Sequence, residues 1–138
     1  MKLYNLIYVS RSQLQSHSAT GQVDGIVSLS RVRNELLDVT GALIFTGTHF
    51  AQILEGSRAA VKDLMSSIDR DLRHAEVRVM VEGPIVDRRF GDWQLAYQGP
   101  SQFVGRPIAA LHALQPGPTQ NRGTERLVQM LWEFTQQR

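Results

Sequence analysis

The chain contains no cysteine. That one absence excludes a disulfide framework, a thiolate metal site and a cysteine nucleophile together. A long hydrophobic run is also missing. No stretch approaches the roughly 20 apolar residues that cross a bilayer, and the opening Met1-Lys2-Leu3-Tyr4-Asn5 is too short and polar for a secretion signal. A soluble, cytoplasmic protein without membrane association is expected. Charge of one sign is lacking as well. Fifteen basic residues stand against thirteen acidic ones, and they are scattered, whereas nucleic-acid readers gather basic residues on one face or stripe. No nucleic-acid partner is expected. Glycine is never grouped into a phosphate loop: Gly41, Gly47 and Gly56 stand alone. No two histidines share an element at metal-ligand spacing, and no motif joins Ser, His and Asp. Nothing in the chain argues for a hydrolase, kinase or metalloenzyme, so neither a metal nor an enzymatic activity is expected.

What is present is an ordinary globular composition, 42% apolar and 20% charged, in a chain of 138 residues that suits one core. Leu3 to Ser10 reads as a strand and Arg11 to Thr20 as a polar loop. From Val23 the apolar spacing becomes helical (Val23, Ile26, Val27, Ser30, Leu37), with Leu29, Val32 and Leu36 widening the stripe and an end near Asp38. Thr40–Thr46 and His49–Glu55 form a hairpin across Thr46-Gly47-Thr48. Ser57 suits an N-cap. The helix after it carries Val61, Leu64, Met65, Ile68 and Leu72 on one stripe, and Asp71-Leu72-Arg73-His74 closes it. Val77, Val79 and Val81 alternate in a fourth strand that Gly83-Pro84 ends or bends. Phe90–Tyr97 reads as a fifth. The order βαββαββ predicts an α+β, ferredoxin-like sheet with two helices on one face. Beyond it, residues 115–123 read as a linker and 124–137 as an amphipathic helix, with Thr124 as N-cap and Leu127, Met130, Leu131 and Phe134 on its stripe. That stripe must be covered, either by the free face of the sheet or by a second copy. The expected division is 1–98 for the sheet domain and 99–138 for the C-terminal helical extension.

Several polar residues sit oddly in apolar patterns. Gln52 shares a strand face with Phe50 and Leu54, and a buried amide there needs partners. Asn34 falls in the last turn of the first helix. Tyr8 stands near the end of the first strand, and Trp93 within the fifth. Taken singly, each has a structural explanation: an amide bonded to main chain, a solvated helix end, aromatic core filler. Arg73 and His74 would suit the negative end of a helix.

Taken together, these stretches resemble the BLUF family, blue-light sensors using flavin, in its short single-domain form. The resemblance rests on Leu6-Ile7-Tyr8-Val9-Ser10, Ser30-Arg31-Val32-Arg33-Asn34, Val39-Thr40-Gly41-Ala42-Leu43-Ile44-Phe45, His49-Phe50-Ala51-Gln52-Ile53-Leu54-Glu55-Gly56, Ile68-Asp69-Arg70-Asp71-Leu72-Arg73-His74 and Arg89-Phe90-Gly91-Asp92-Trp93. They run in order over about residues 3–97. The resemblance implies a flavin between the two helices, FAD as a rule, with FMN or riboflavin as alternatives. Ile26 and Ile68 would flank the ring, and Asn34 would bond its polar edge. Gln52 would sit between Tyr8 and the ring's N5 and C4=O. Asp71, Arg73 and His74 would lie near the ribityl side, with Arg33 and Phe50 completing the cofactor-binding set. The photoactive residues would be Tyr8, Gln52 and Trp93: Tyr8 gives the excited flavin an electron and a proton, and Gln52 rearranges its hydrogen bonds. The family commonly has Met two residues after the Trp. Here that position is Leu95, which alters the onward route from Gln52. No output domain follows the match, so signalling through a homo-oligomer (dimer or larger) or a partner protein acting in trans is implied. The competing reading is a ferredoxin-like protein-interaction domain without photoactivity; a flavin redox enzyme lacks substrate residues.

Overall fold

The computed structural model describes residues 2–14, 19–98 and 102–136. The Gly99-Pro100 break, the middle of the polar stretch 11–20 and the end of the terminal helix at 137 lie outside the described residues.

Runs of β-branched and aromatic residues pair into one five-stranded sheet: β1 (Leu3–Ser12), β2 (Thr40–Phe45), β3 (His49–Gly56), β4 (His74–Ile85) and β5 (Trp93–Gln98). The spatial order is β4-β1-β3-β2-β5, antiparallel throughout except for the parallel β2–β5 pair at one edge. The three inner strands are buried on both faces, which explains their near-continuous apolar runs. Side chains alternate between the faces with period two. One face carries Leu6 and Tyr8 of β1, Leu43 and Phe45 of β2, and Phe50 and Leu54 of β3. Two helices cover it. Helix α1 (Ala19–Leu36) contributes Val23 and Val27, and α2 (Arg58–Asp69) contributes Val61, Leu64 and Met65. Burying each of these α2 side chains contributes about 1.5–3 kcal/mol. As expected, Ser57 caps α2 by accepting from Ala60 N–H at 3.2 Å.

The opposite face presents Ile7, Val9, Ala42, Ile44, Ala51 and Ile53. Its cover is a helical pair, α3 (Gln102–Ala113) and α4 (Pro118–Gln136), whose Val104, Ile108, Leu111, Leu127 and Leu131 complete this core. The C-terminal stripe therefore closes on its own sheet. Helix α3 is an addition to the sequence reading, and α4 begins well before Thr124. Pro118 opens it, where a missing N–H costs nothing. Thr124 is not a cap; it lies inside α4 and donates its hydroxyl to the Gln120 carbonyl at 2.9 Å. Gly123, read as linker, lets the two helices touch: a Cβ there would stand 2.9 Å from Leu111 Cδ1.

Other boundaries move for local reasons. Leu72 is not part of the α2 stripe; it lies beyond the helix end, 90% exposed. The Asp71 carboxylate accepts the Arg73 N–H at 2.9 Å, a local bond that competes with the helix, and His74 already opens β4. Leu29, Val32 and Leu36 do not widen a buried stripe but face solvent. Helix α1 stops where Asp38 takes a φ of 55° and Val39 N–H reaches back to the Asn34 carbonyl. Strand β4 runs through Gly83-Pro84 without ending, because an edge strand tolerates a missing donor. A register slip between Ile7 and Tyr8 makes Met80 the extra residue. Met80 is buried in the second core, while Val79 and Val81 stay 40% and 44% exposed, so the even alternation read from the valines fails. Strand β5 starts at Trp93, and Phe90 precedes it in the loop with its ring buried.

Candidate functional site

Strand pairing places four residues in one row across the face covered by α1 and α2. Tyr8 pairs with Gln52, Gln52 with Leu43, and Leu43 with Leu95. Gly41 makes the β2–β3 approach possible: its φ is 151°, and a Cβ there would fall 1.8 Å from the Ile53 carbonyl oxygen. Above this row residues of α1 and α2 frame a cleft that opens to solvent.

All ten residues expected to hold a cofactor line this cleft. Tyr8, Phe50 and Gln52 form its floor on β1 and β3. Ile26, Arg33 and Asn34 come from α1, Ile68 from α2, Asp71 and Arg73 from the turn before β4, and His74 from the first position of β4. Trp93 stands outside the lining. It packs beside Phe45 and Phe50 under Val23 and Val27. Leu29, Ser30, Leu43, Leu54, Leu64 and Ser67 also line the cleft. Leu29 and Ser30 belong to the helical stripe read from the sequence, Leu54 shares the strand face of Gln52, and Leu64 shares the stripe of Ile68; Leu43 and Ser67 are not singled out by spacing.

The polar residues of the floor are paired with one another. Tyr8 Oη donates to Gln52 Oε1 at 2.7 Å, with both side chains buried. Burial pushes the Tyr8 phenol well above its ordinary value, and the charges of Asp71 and Asp69 push it the same way. His74 uses both ring nitrogens: Nε2 bonds the Ile68 carbonyl at 2.7 Å and Nδ1 meets Ser10 Oγ at 2.8 Å. A carbonyl only accepts, so Nε2 carries the proton. The ring stands edge-on to Tyr8 and Phe50, wedging the floor at that end. At the mouth the Arg73 guanidinium grips Asp71 through both carboxylate oxygens. That hydrogen bonding holds the Asp71 carboxyl below the usual carboxylate range, against a smaller opposing effect of burial.

One group on the cleft wall is left over. Asn34 is only 2% exposed, and its Nδ2 has no hydrogen-bond partner. A buried unmet donor costs about 1–3 kcal/mol, so a fitting ligand must bring an acceptor to it. A flat ring with apolar faces and a rim of carbonyls and nitrogens meets that requirement. Its faces suit Ile26 and Ile68, and its rim suits the amides of Asn34 and Gln52, which both donate and accept. The residues present fit a flavin. Among the described residues no group of three His, Asp or Glu is placed to hold a metal, and no helix is long and apolar enough to cross a membrane.

Comparison with known proteins points the same way. The chain is 37% identical to the blue light- and temperature-regulated antirepressor BluF of Escherichia coli (strain K12) over 89 residues, 64% of this chain and 22% of that protein. It is 28% identical to the photoactivated adenylate cyclase subunit beta of Euglena gracilis over 93 residues, 67% of this chain and 11% of that one. The chain thus spans less than a quarter of the length of either relative. Among solved structures, the dark state of the BLUF protein BlrB superposes with a TM-score of 0.69 at 35% identity, covering 91% of this chain and 93% of that one. The photo-activated state of BlsA shares the fold, with a TM-score of 0.77 at 19% identity over 94% of each chain. The family profile described as sensors of blue-light using FAD matches residues 3–96, and the chain belongs to the BLUF family.

Proposed function

We propose that this chain binds FAD in the cleft between α1 and α2 and converts blue light into a changed hydrogen-bond pattern at Gln52. The observation that carries this reading is the buried Tyr8–Gln52 hydrogen bond on the floor of a cleft whose wall holds an unpartnered Asn34 amide. FMN or riboflavin would satisfy the same ring contacts. Ile26 and Ile68 would clamp the ring faces, Asn34 would bond the rim, and Asp71, Arg73 and Arg33 would line the way to the ribityl chain.

The bound flavin would supply a blue-absorbing ring whose excited state is a strong oxidant. Tyr8 is suited to lose an electron and a proton together, because its raised pKa keeps the phenol protonated and a buried charge is costly. Gln52 Oε1, 2.7 Å from the phenol oxygen, is the atom placed to hold that proton. Return of the electron and the proton to Tyr8 would leave the Gln52 amide rotated or tautomerised, with the atoms facing Tyr8 and the cleft exchanged. Gln52 would then donate a stronger hydrogen bond to the carbonyl rim of a bound ring, with no substrate turned over and no net oxidation of Tyr8. His74 stands edge-on to the Tyr8 ring and is itself backed edge-on by Phe50. Residues 1–98 would form the light-responsive unit. Residues 99–138 would pass the change to a second copy or to a partner protein.

The test is an absorption spectrum of the dark-purified protein before and after blue illumination, with chromatography of the released chromophore. A yellow protein with a small, reversible red shift, lost in Tyr8→Phe and Gln52→Leu, supports the reading. A colourless protein would favour an interaction domain without photoactivity, and a normal photocycle in Tyr8→Phe would overturn the mechanism.

A further inference from the structure

Gln52 and Glu55 both lie on β3, but three residues apart they face opposite sides of the sheet. Gln52 looks into the cleft, and Glu55 looks toward the α3–α4 cover. Glu55 is completely buried. A buried carboxylate is costly unless its oxygens are met, and here they are met by one segment, the loop between β4 and β5. Oε1 accepts the main-chain N–H of Arg89 and of Phe90, both at 2.9 Å, and Oε2 accepts Arg89 Nε at 3.3 Å. Arg88 of the same loop donates to the Glu55 carbonyl at 2.9 Å and to Thr40 Oγ1 at 2.8 Å. The loop is therefore tied to the end of β3.

The residue that Glu55 holds by its main chain then reaches into the helical cover. The Phe90 ring is 3% exposed, belongs to the core shared with Leu127 and Leu131, and meets the Trp132 ring of α4 at 6.1 Å, inclined 67°. A continuous path thus leads from β3 through a carboxylate and two amides to an aromatic contact on α4. It does not pass through Leu95, which lies on the cleft side of the sheet.

Resting on the photosensor reading above, we propose that Glu55 is a positioning residue that couples β3, and with it Gln52, to α4 through Phe90 and Trp132. A shift or tilt of β3 after Gln52 rearranges moves the Glu55 carboxylate. The Arg89 and Phe90 amides follow it, and the Phe90 ring changes its seat against Trp132. Coupling of this kind needs a demonstration that both ends respond together.

The experiment is light-minus-dark hydrogen exchange of α4 amides in the full, flavin-loaded chain, read alongside the red shift. Wild type, Glu55→Leu, Glu55→Gln and Trp132→Ala are compared. Wild type should show a light-dependent change in α4 exchange. Glu55→Leu removes every acceptor and should lose that change. Glu55→Gln keeps the oxygen that both main-chain amides use and should retain it. Trp132→Ala removes the far end on a half-exposed residue and should lose it. All should keep the red shift, since neither residue lines the cleft. An unchanged α4 response in Trp132→Ala overturns the relay, and this variant decides if Glu55→Leu does not fold. A wild-type red shift without any α4 response also overturns the relay while leaving the sensor reading intact. Absence of the red shift in wild type overturns the sensor reading and the relay with it.

Discussion

The Tyr8–Gln52 bond predicts a specific pattern of stability in the flavin-free protein. Tyr8→Phe removes a hydroxyl and leaves Gln52 Oε1, in a side chain 5% exposed, without the donor 2.7 Å away. Stranding a buried acceptor costs about 1–3 kcal/mol. Gln52→Leu strands the Tyr8 hydroxyl instead, on a residue 3% exposed, and costs a similar amount, about 1–3 kcal/mol. The double variant strands neither, since the two new side chains would meet as apolar neighbours, so it should be more stable than the sum of the two losses implies. The expected coupling is about 1–2 kcal/mol, well outside the ~0.3–0.5 kcal/mol within which independent sites add. Urea unfolding of the four flavin-free proteins measures it, with equal m-values as the check that the denatured states are comparable. Additive losses would mean that the two side chains do not share a bond in the folded protein, and the floor of the site as described would be wrong.

Asn34→Leu should have opposite effects on two quantities. It removes an unmet buried donor and should raise flavin-free stability by about 1 kcal/mol, yet weaken flavin retention about tenfold, or roughly 1.4 kcal/mol; equilibrium dialysis and urea melts read the two. Gly41→Ala should destabilise by about 4 kcal/mol or more, at the far end of single substitutions, because the new Cβ meets the Ile53 carbonyl; failure to accumulate soluble protein is the simplest readout. His49 has its pKa lowered from 6.5, first by burial and then by His112 and Arg11. A depressed folded value means the unfolded chain takes up the proton first, so stability is full above pH 6.5 and falls as pH drops below it. His49→Gln should flatten thermal stability across that window.

How much of this could be read from the residues differs by element. The α2 stripe of Val61, Leu64 and Met65 and the Ser57 cap followed from spacing, because a helix packed on one face repeats its pattern. The same periodicity carried the reading too far at Leu72, since the Asp71 side chain ends the pattern by a local bond that spacing does not reveal. The valines of β4 suggested even alternation, but a bulge at Met80 turned one residue to the other face. At the C-terminus Pro118 and Gly123 were punctuation in the sequence, yet one starts a helix and the other permits helix contact. The site is a similar mixture. Tyr8 and Gln52 lie 44 residues apart, and period two tells which face each occupies but not which strands become neighbours. Only the order β4-β1-β3-β2-β5 places them opposite one another. Glu55 was visible as part of a motif, but its grip on Arg89 and Phe90 depends on a loop whose path no local pattern predicts.

The central claim is that light changes the hydrogen bond Gln52 makes to the flavin ring while the ring itself is chemically unchanged afterwards. A light-minus-dark infrared difference spectrum of the flavin C4=O stretch tests it most directly. A stronger hydrogen bond weakens the carbonyl, so the account predicts a reversible move of that band to lower wavenumber in wild type and none in Gln52→Leu. A band that stays in place in wild type under illumination, or that moves equally in Gln52→Leu, would contradict it.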